Sequence, residues 1–235
     1  MDHAFSEAFE ATWPAADYAQ AGGFRVGRGL GAGGRVSSAR VTGDWQSGDI
    51  AGVEAICHGW NQPAIFRVDD ANDGLVAALQ QAGYRAVTPT VIMSAPIGAL
   101  TDREIPPVTS FDIWPPLAIQ REIWLAGNIG AERQAVMDRA PQLKTSILGR
   151  AEDRAAGAAF VAIAGQVAMI HAIEVLAPWR RRGLAGWMIR GAALWARDNG
   201  ATRMGLAVTR GNHGAIAAYH GLGFQEIAGY SYFTR

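Results

Sequence analysis

The chain has 235 residues, 49% hydrophobic and 18% charged, enough for one large domain or two small ones with a real core. Its 21 basic and 21 acidic side chains cancel, so no broad positive field draws in nucleic acid or an anionic membrane, and any phosphate binding must be local. Cys57 is the sole cysteine, which excludes an internal disulfide and a cysteine-built metal cage.

Met1-Asp2-His3-Ala4-Phe5-Ser6-Glu7 lacks the basic-then-apolar pattern of a secretory leader. No run approaches ~18 consecutive apolar residues. The expectation is a soluble, cytoplasmic chain with no membrane partner. Gly29-Leu30-Gly31-Ala32-Gly33-Gly34 satisfies the dinucleotide fingerprint G-x-G-x-x-G. That fingerprint needs a helix next, whereas Arg35 to Val41 reads as a strand, so a glycine-rich hairpin is expected. Cys57 and His58 fall on a helix and read as packing and surface residues. The strand Ala64 to Val68 leads to a polar cap at Asn72, a short helix, Gly83 and the aromatic Tyr84. Pro96, Pro106 and Pro107 then cluster at a boundary, and the chain is divided into units 1–100 and 101–235.

In the second unit, strands are expected over Val108–Trp114, Lys144–Gly149, Gly157–Ile163 and Val167–Leu176, with hairpin turns at Glu152-Asp153 and Gly165-Gln166. Helices are expected over Pro116–Ala126 and Ala131–Ala140. Leu184, Trp187, Met188, Gly191, Ala192 and Trp195 repeat at helical spacing and predict a helix over Gly183–Asp198, with Trp187 and Trp195 on its core face. A strand Arg203–Thr209, a helix Gly214–Gly221 and a closing pair of strands through Phe224 and Tyr232 complete the order. Asn72 to Arg85 lies on Asn212 to Gln225 without gaps, at an offset of 140 residues, and the preceding strands pair at that offset too. Two related α/β units are implied.

Between the strand ending near Leu176 and the helix from Leu184 stand Arg180, Arg181, Arg182 and Gly183. Backbone N–H groups at a helix N-terminus carry partial positive charge, and arginines on that turn suit a phosphorylated ligand. A solvated basic patch is the plainer alternative. The histidines show no ligand spacing, and no metal is expected.

Residues 105–235 resemble a GNAT-superfamily N-acetyltransferase. Two motifs carry the likeness: [QR]-x-x-G-x-[GA], met by Arg180, Gly183 and Ala185, and N-x-x-A…Y-x-x-x-G-F, met by Asn212, Ala215, Tyr219, Gly223 and Phe224. The resemblance implies an α/β fold with a mixed, mostly antiparallel twisted sheet, and a degenerate second copy at the N-terminus. It implies transfer of an acetyl group from acetyl-CoA to a small-molecule or peptide amine in a ternary complex, by a monomer or homodimer. The diphosphate would rest on Arg180, Arg181, Arg182, Gly183, Ala185 and Gly186, and the pantetheine arm along Ile173 and Val175, touching Asn212. Tyr219 would be the general acid. His171 is the candidate base, placed by strand parity beside Ile173 and Val175 with Glu174 on the opposite face; a water chain, with His171 as a core histidine, is the other reading. The acceptor groove would involve Gly127-Asn128-Ile129-Gly130 and Tyr230. The first unit lacks the loop motif, since Asp44 and Trp45 follow Arg40-Val41-Thr42-Gly43, so no coenzyme is expected there. An acyl-CoA-binding or interaction module without catalysis is the alternative of another class.

Overall fold

The computed structural model describes residues 1–140 and 143–235. The chain forms two compact units whose segments alternate. The larger comprises Met1–Trp13, Ile92–Val208 and Asn212–Ile227; the smaller comprises Pro14–Val91, Thr209–Gly211 and Ala228–Arg235. The division differs from a single cut after residue 100, because the N-terminal helix packs with the C-terminal part of the chain.

The larger unit opens with α1 (His3–Ala11), capped by Asp2, whose carboxylate accepts from Phe5 N–H at 2.9 Å. Asp2 also accepts from Arg203 Nη2 at 3.2 Å, and that guanidinium, followed by the cap bond, holds its carboxyl down at about 2. The antiparallel strands β6 (Ser110–Ile113), β7 (Lys144–Ala151), β8 (Arg154–Ala164) and β9 (Val167–Val175) follow one another in the sheet, and β10 (Arg203–Thr209) pairs parallel with β9. Helix α8 (Leu184–Asp198) covers one face. Leu184, Met188, Ala192 and Ala196 recur every fourth residue and are buried, as an amphipathic helix on a sheet requires. Helices α6 (Ala118–Ala126) and α7 (Ala131–Arg139) supply Ile123, Trp124 and Met137 to a second core around Ala158, Phe160 and Ala162. Helix α1 packs on β8 and β9.

In the smaller unit, β1 (Asp17–Ala21), β2 (Phe24–Arg28) and β3 (Ser38–Val41) are antiparallel neighbours, and β4 (Ile65–Asp69) runs parallel to β3. Tyr230 to Phe233 of β11 (Gln225–Thr234) pair antiparallel with β4. Helices α3 (Asp49–Gly59) and α4 (Asp73–Gln81) bury Val53, Cys57, Leu75 and Leu79 against Phe24, Phe66 and Phe233.

Two local expectations are corrected. The glycine-rich stretch leads not straight into a strand but into a single helical turn, α2 (Gly34–Ser37), before β3. The closing pair of strands is one long strand, β11.

Candidate active site

A cleft of about 1030 Å³ opens in the larger unit at the N-terminus of α8. Its walls are β9, the loop after it, α8 itself and α9 (His213–Gly221). Gly183 is the N-cap of α8 with φ +83°, a left-handed conformation that costs a residue with a Cβ about 1–2 kcal/mol. No side chain caps this end, so the first N–H groups of α8 face the cleft without a side-chain partner. The expected anion cradle of Gly183, Ala185 and Gly186 lines the cleft.

The three arginines part company. Arg181 lines the cleft, and among the described residues no carboxylate pairs with it. Arg180 also lines it, with Nη2 2.9 Å from Glu174 Oε1 and Nε donating to the Val175 carbonyl at 2.8 Å. Arg182 turns away: Nη1 lies 2.8 Å from Glu152 Oε1 and its guanidinium sits 5.1 Å from the Trp179 ring centre.

The strand wall is open by construction. The β9–β10 ladder matches Val167–Met169 with Arg203–Gly205 and ends there. Beyond it Ile173, Glu174 and Val175 line the cleft. Backbone donors and acceptors on a parted strand can take up an extended ligand as an added strand.

Strand parity fails in this segment, and it fails at a bulge. Phe160 stands opposite His171 and Ala158 opposite Glu174, so between these pairs one residue of β8, Ala159, faces two of β9, Ala172 and Ile173. Ala172, at φ +50°, carries the irregularity, and the Trp124 indole N–H donates to its carbonyl at 2.9 Å. His171 and Glu174 therefore share one face, that of Ala158 and Phe160, while Val175 opposite Gly157 lies on the other. The expectation that His171 goes with Val175, and Glu174 against them, is reversed. Glu174 reaches the loop between α6 and α7; a Cβ at Gly127 would lie 2.4 Å from its Oε2. The Glu174 side chain is 15% exposed.

His171 is instead a core residue, 7% exposed, and the β9 residues of the cleft wall are its neighbours Ile173 to Val175. Its ring lies 5.0 Å from that of Trp13 and 6.1 Å from that of Phe160. Its Nε2 is 3.0 Å from Thr12 Oγ1, which gives its own proton to the Ala8 carbonyl at 2.7 Å. A hydroxyl has one proton, so Nε2 is the donor to Thr12 and offers that site no lone pair.

Tyr219 lines the cleft from α9, its ring 6.0 Å from Phe224. Burial pushes its phenol up to about 12, so it holds its proton at neutral pH. Asn212 lines the cleft and caps α9, accepting from Ala215 N–H at 3.2 Å. Trp187, expected in the core, is half-buried and lines the cleft, while Trp195 is half-buried. Periodicity gives the face of a helix but not how deeply each position is covered. Tyr230, a candidate for the acceptor groove, lies in the smaller unit with its ring 5.3 Å from that of Tyr232.

The chain is similar in fold to solved structures at low identity. A GCN5-related N-acetyltransferase from Kribbella flavida superposes with TM-score 0.74 at 18% identity, over 98% of this chain and 92% of that one. One from Sphaerobacter thermophilus gives 0.60 at 15% identity, over 84% and 72%. A tandem GNAT protein from the clavulanic acid biosynthesis pathway gives 0.60 at 14% identity, over 84% and 74%. No curated protein matches the chain in sequence. Residues 112–224 match the acetyltransferase (GNAT) family. They are a GNAT acetyltransferase domain.

The GNAT domain runs from within β6 to the aromatic that opens β11, and it contains the arginine loop, α8 and α9. The fold is mixed α/β with mostly antiparallel pairing, as the resemblance implied. Among the described residues no cluster of His, Cys, Asp and Glu could hold a metal, and no helix is long and apolar enough to cross a membrane.

Proposed function

We propose that the GNAT domain transfers an acetyl group from acetyl-CoA to a primary amine, of a small molecule or a peptide, by direct attack in a ternary complex. One observation carries the reading. The cleft joins an uncapped helix N-terminus with an unpaired arginine, a parted strand edge and a phenol that keeps its proton. These residues fit a ligand with a diphosphate at one end and an amide-bearing arm at the other.

The α8 amides and Arg181 hold the diphosphate, with Gly183 and Ala185 leaving room for close approach. The β9 edge from Ile173 to Val175 pairs with the arm and aims a backbone N–H at the thioester carbonyl, where negative charge develops. Glu174 takes the role first considered for His171. It faces the cleft, and it or a water hydrogen-bonded to it receives the proton of the attacking amine. Freeing a primary amine of pKa ~10.4 at pH 7 costs about 4.6 kcal/mol, so a modest acceptor suffices. As the C–N bond forms and the C–S bond breaks, Tyr219 gives its proton to the departing sulfur. His171 supports this site from behind, held by Thr12.

The smaller unit is read as a degenerate copy without coenzyme. At the first residue of its helix α3, the Asp49 carboxylate already accepts from Gly23 and Gln46 N–H at 3.1 and 3.0 Å. A phosphoryl group would meet that negative charge. Calorimetry should find one acetyl-CoA site per chain. Gly183→Asp, which sets a carboxylate at the cradle and strains φ, should weaken binding at least about ten-fold. Arg182→Glu should weaken it less, since Arg182 faces Glu152. Two sites per chain, or unchanged affinity in Gly183→Asp, would contradict the proposal.

A further inference from the structure

One tryptophan reaches the cleft wall from behind. Trp124 of α6 is fully buried, and its indole N–H donates to the Ala172 carbonyl at 2.9 Å. Ala172 holds φ +50°, a left-handed conformation that its Cβ disfavours. It opens the bulge at which Ala159 of β8 faces two residues of β9. Nothing in an alanine selects that conformation, so its neighbours must. The next two residues, Ile173 and Glu174, line the cleft.

Helix α6 meets β9 on both sides of Ile173. On one side is the indole bond to Ala172, and on the other Glu174 lies against Gly127, in space that a Cβ there would take. That helix end is itself fixed. Gln134 of α7, 7% exposed, donates to the Arg121 and Ile129 carbonyls at 3.2 and 2.9 Å. Ile129 N–H in turn donates to the Trp124 carbonyl at 2.8 Å. Regular pairing beyond Phe160 and His171 would set Ile173 opposite Ala158 and Glu174 opposite Gly157, turning each to the other face of the strand.

We propose that Trp124 is a positioning residue for the coenzyme: its indole N–H holds the β9 bulge at Ala172 and so fixes the edge from Ile173 to Val175 that receives the arm. The inference rests on the coenzyme reading above. The diphosphate cradle belongs to the loop and α8, and does not depend on the bulge.

Two ligands separate the edge from the cradle. Acetyl-CoA uses both, whereas adenosine 3′-phosphate 5′-diphosphate keeps the nucleotide and diphosphate and lacks the arm. In calorimetry of the full chain, wild type should bind acetyl-CoA the more tightly. Trp124→Phe keeps an aromatic ring and deletes the donor. Its acetyl-CoA affinity should fall about ten-fold, while affinity for the truncated nucleotide should hold within about two-fold. Adding Ala172→Gly should restore most of the loss, because glycine takes positive φ without a tie and refills none of the core volume lost with the indole. Ala172→Val, with Trp124 intact, should reproduce the selective loss, because a β-branched residue resists that φ. This variant decides the matter if Trp124→Phe does not fold. An equal loss for both ligands, no loss, or no recovery with glycine would overturn the inference and leave the coenzyme site standing. Equal binding of both ligands by wild type would do the same. Binding of neither by wild type would overturn both.

Discussion

Helices α4 and α9 stand 140 residues apart and are built alike, yet one closes a core and the other opens a cleft. Asn72 and Asn212 cap them, accepting from Leu75 N–H at 3.1 Å and Ala215 N–H at 3.2 Å. Gly83 and Gly223 end them at φ +85° and +93°. Tyr84 N–H then donates to the Leu79 carbonyl at 2.9 Å, and Phe224 N–H to that of Tyr219 at 3.0 Å. The backbones are the same device, and what differs is the inward residues. In α4 these are Leu75 and Leu79, 1% and 0% exposed, each worth about 1.5–3 kcal/mol of burial. In α9 the same places hold Ala215 and Tyr219, and no residue of that helix is fully buried. At the first place α9 withholds side-chain volume that α4 uses for stability, and at the second it sets a phenol against the cleft.

The comparison breaks most visibly at Tyr219. Tyr219→Phe keeps the ring and removes the proton, so turnover with an amine acceptor should fall ~10²–10⁴-fold, with coenzyme affinity nearly unchanged. Burial raises the Tyr219 phenol to about 12, above the ordinary value near 10. The donor is therefore intact below pH ~10 and lost as pH rises through about 12, and a wild-type rate profile should show no falling limb from it below pH ~11. Near-full activity in the variant, with chemistry limiting, would assign the acid elsewhere.

Leu79→Ala tests the other side of the pair. Truncating a fully buried leucine costs about 2–5 kcal/mol, read as a lower denaturation midpoint, and the coenzyme site in the larger unit should keep its affinity under native conditions. A loss under about 1 kcal/mol would mean that α4 is not the core element described.

How much of this was open to a reader of the sequence alone depended on whether the signal was local. The Asn caps and the helical span of α8 are short-range patterns, and each stands where expected, whereas Trp187 of the α8 stripe faces the cleft. The sidedness of β9 was not legible. Its bulge sits on Ala172, an ordinary residue at positive φ, held by an indole from Trp124, 48 positions away. No alternation rule anticipates that contact, and one extra residue was enough to exchange Glu174 for His171 at the cleft. A β9 with two residues set against one could have been suspected only from Glu174 itself, a carboxylate six residues before an arginine that needs a partner. The membership of α1 in the larger unit was equally hidden, because Thr12 meets His171 across 159 residues.

Ala215→Leu makes α9 copy α4 at the position of Leu75. The added side chain enters the cleft rather than a packed interior, so it should block the coenzyme and weaken binding by about 10–100-fold, or roughly 1.4–2.8 kcal/mol. Thermal stability should hold or rise slightly, because apolar area is covered without overpacking. Unchanged coenzyme affinity would show that Ala215 does not line the occupied part of the cleft.

The smallest effect separates the two caps. Losing an Asn N-cap costs about 0.5–2 kcal/mol, typically near 1. Asn72 makes its bond in partly buried surroundings and Asn212 makes its own in the open. Water replaces an exposed acceptor more readily than a covered one. Asn72→Ala should therefore lower stability by about 1 kcal/mol and Asn212→Ala by about half of that. Asn212→Ala should also raise the Kd for acetyl-CoA a few-fold, since the same residue lines the cleft, whereas Asn72→Ala should leave it alone. The two readouts are to be taken on each variant, by denaturant titration and by calorimetry. A larger stability loss at Asn212 than at Asn72 would show that the open helix relies on its cap in place of the missing core, and that volume withheld from α9 is compensated at its N-terminus.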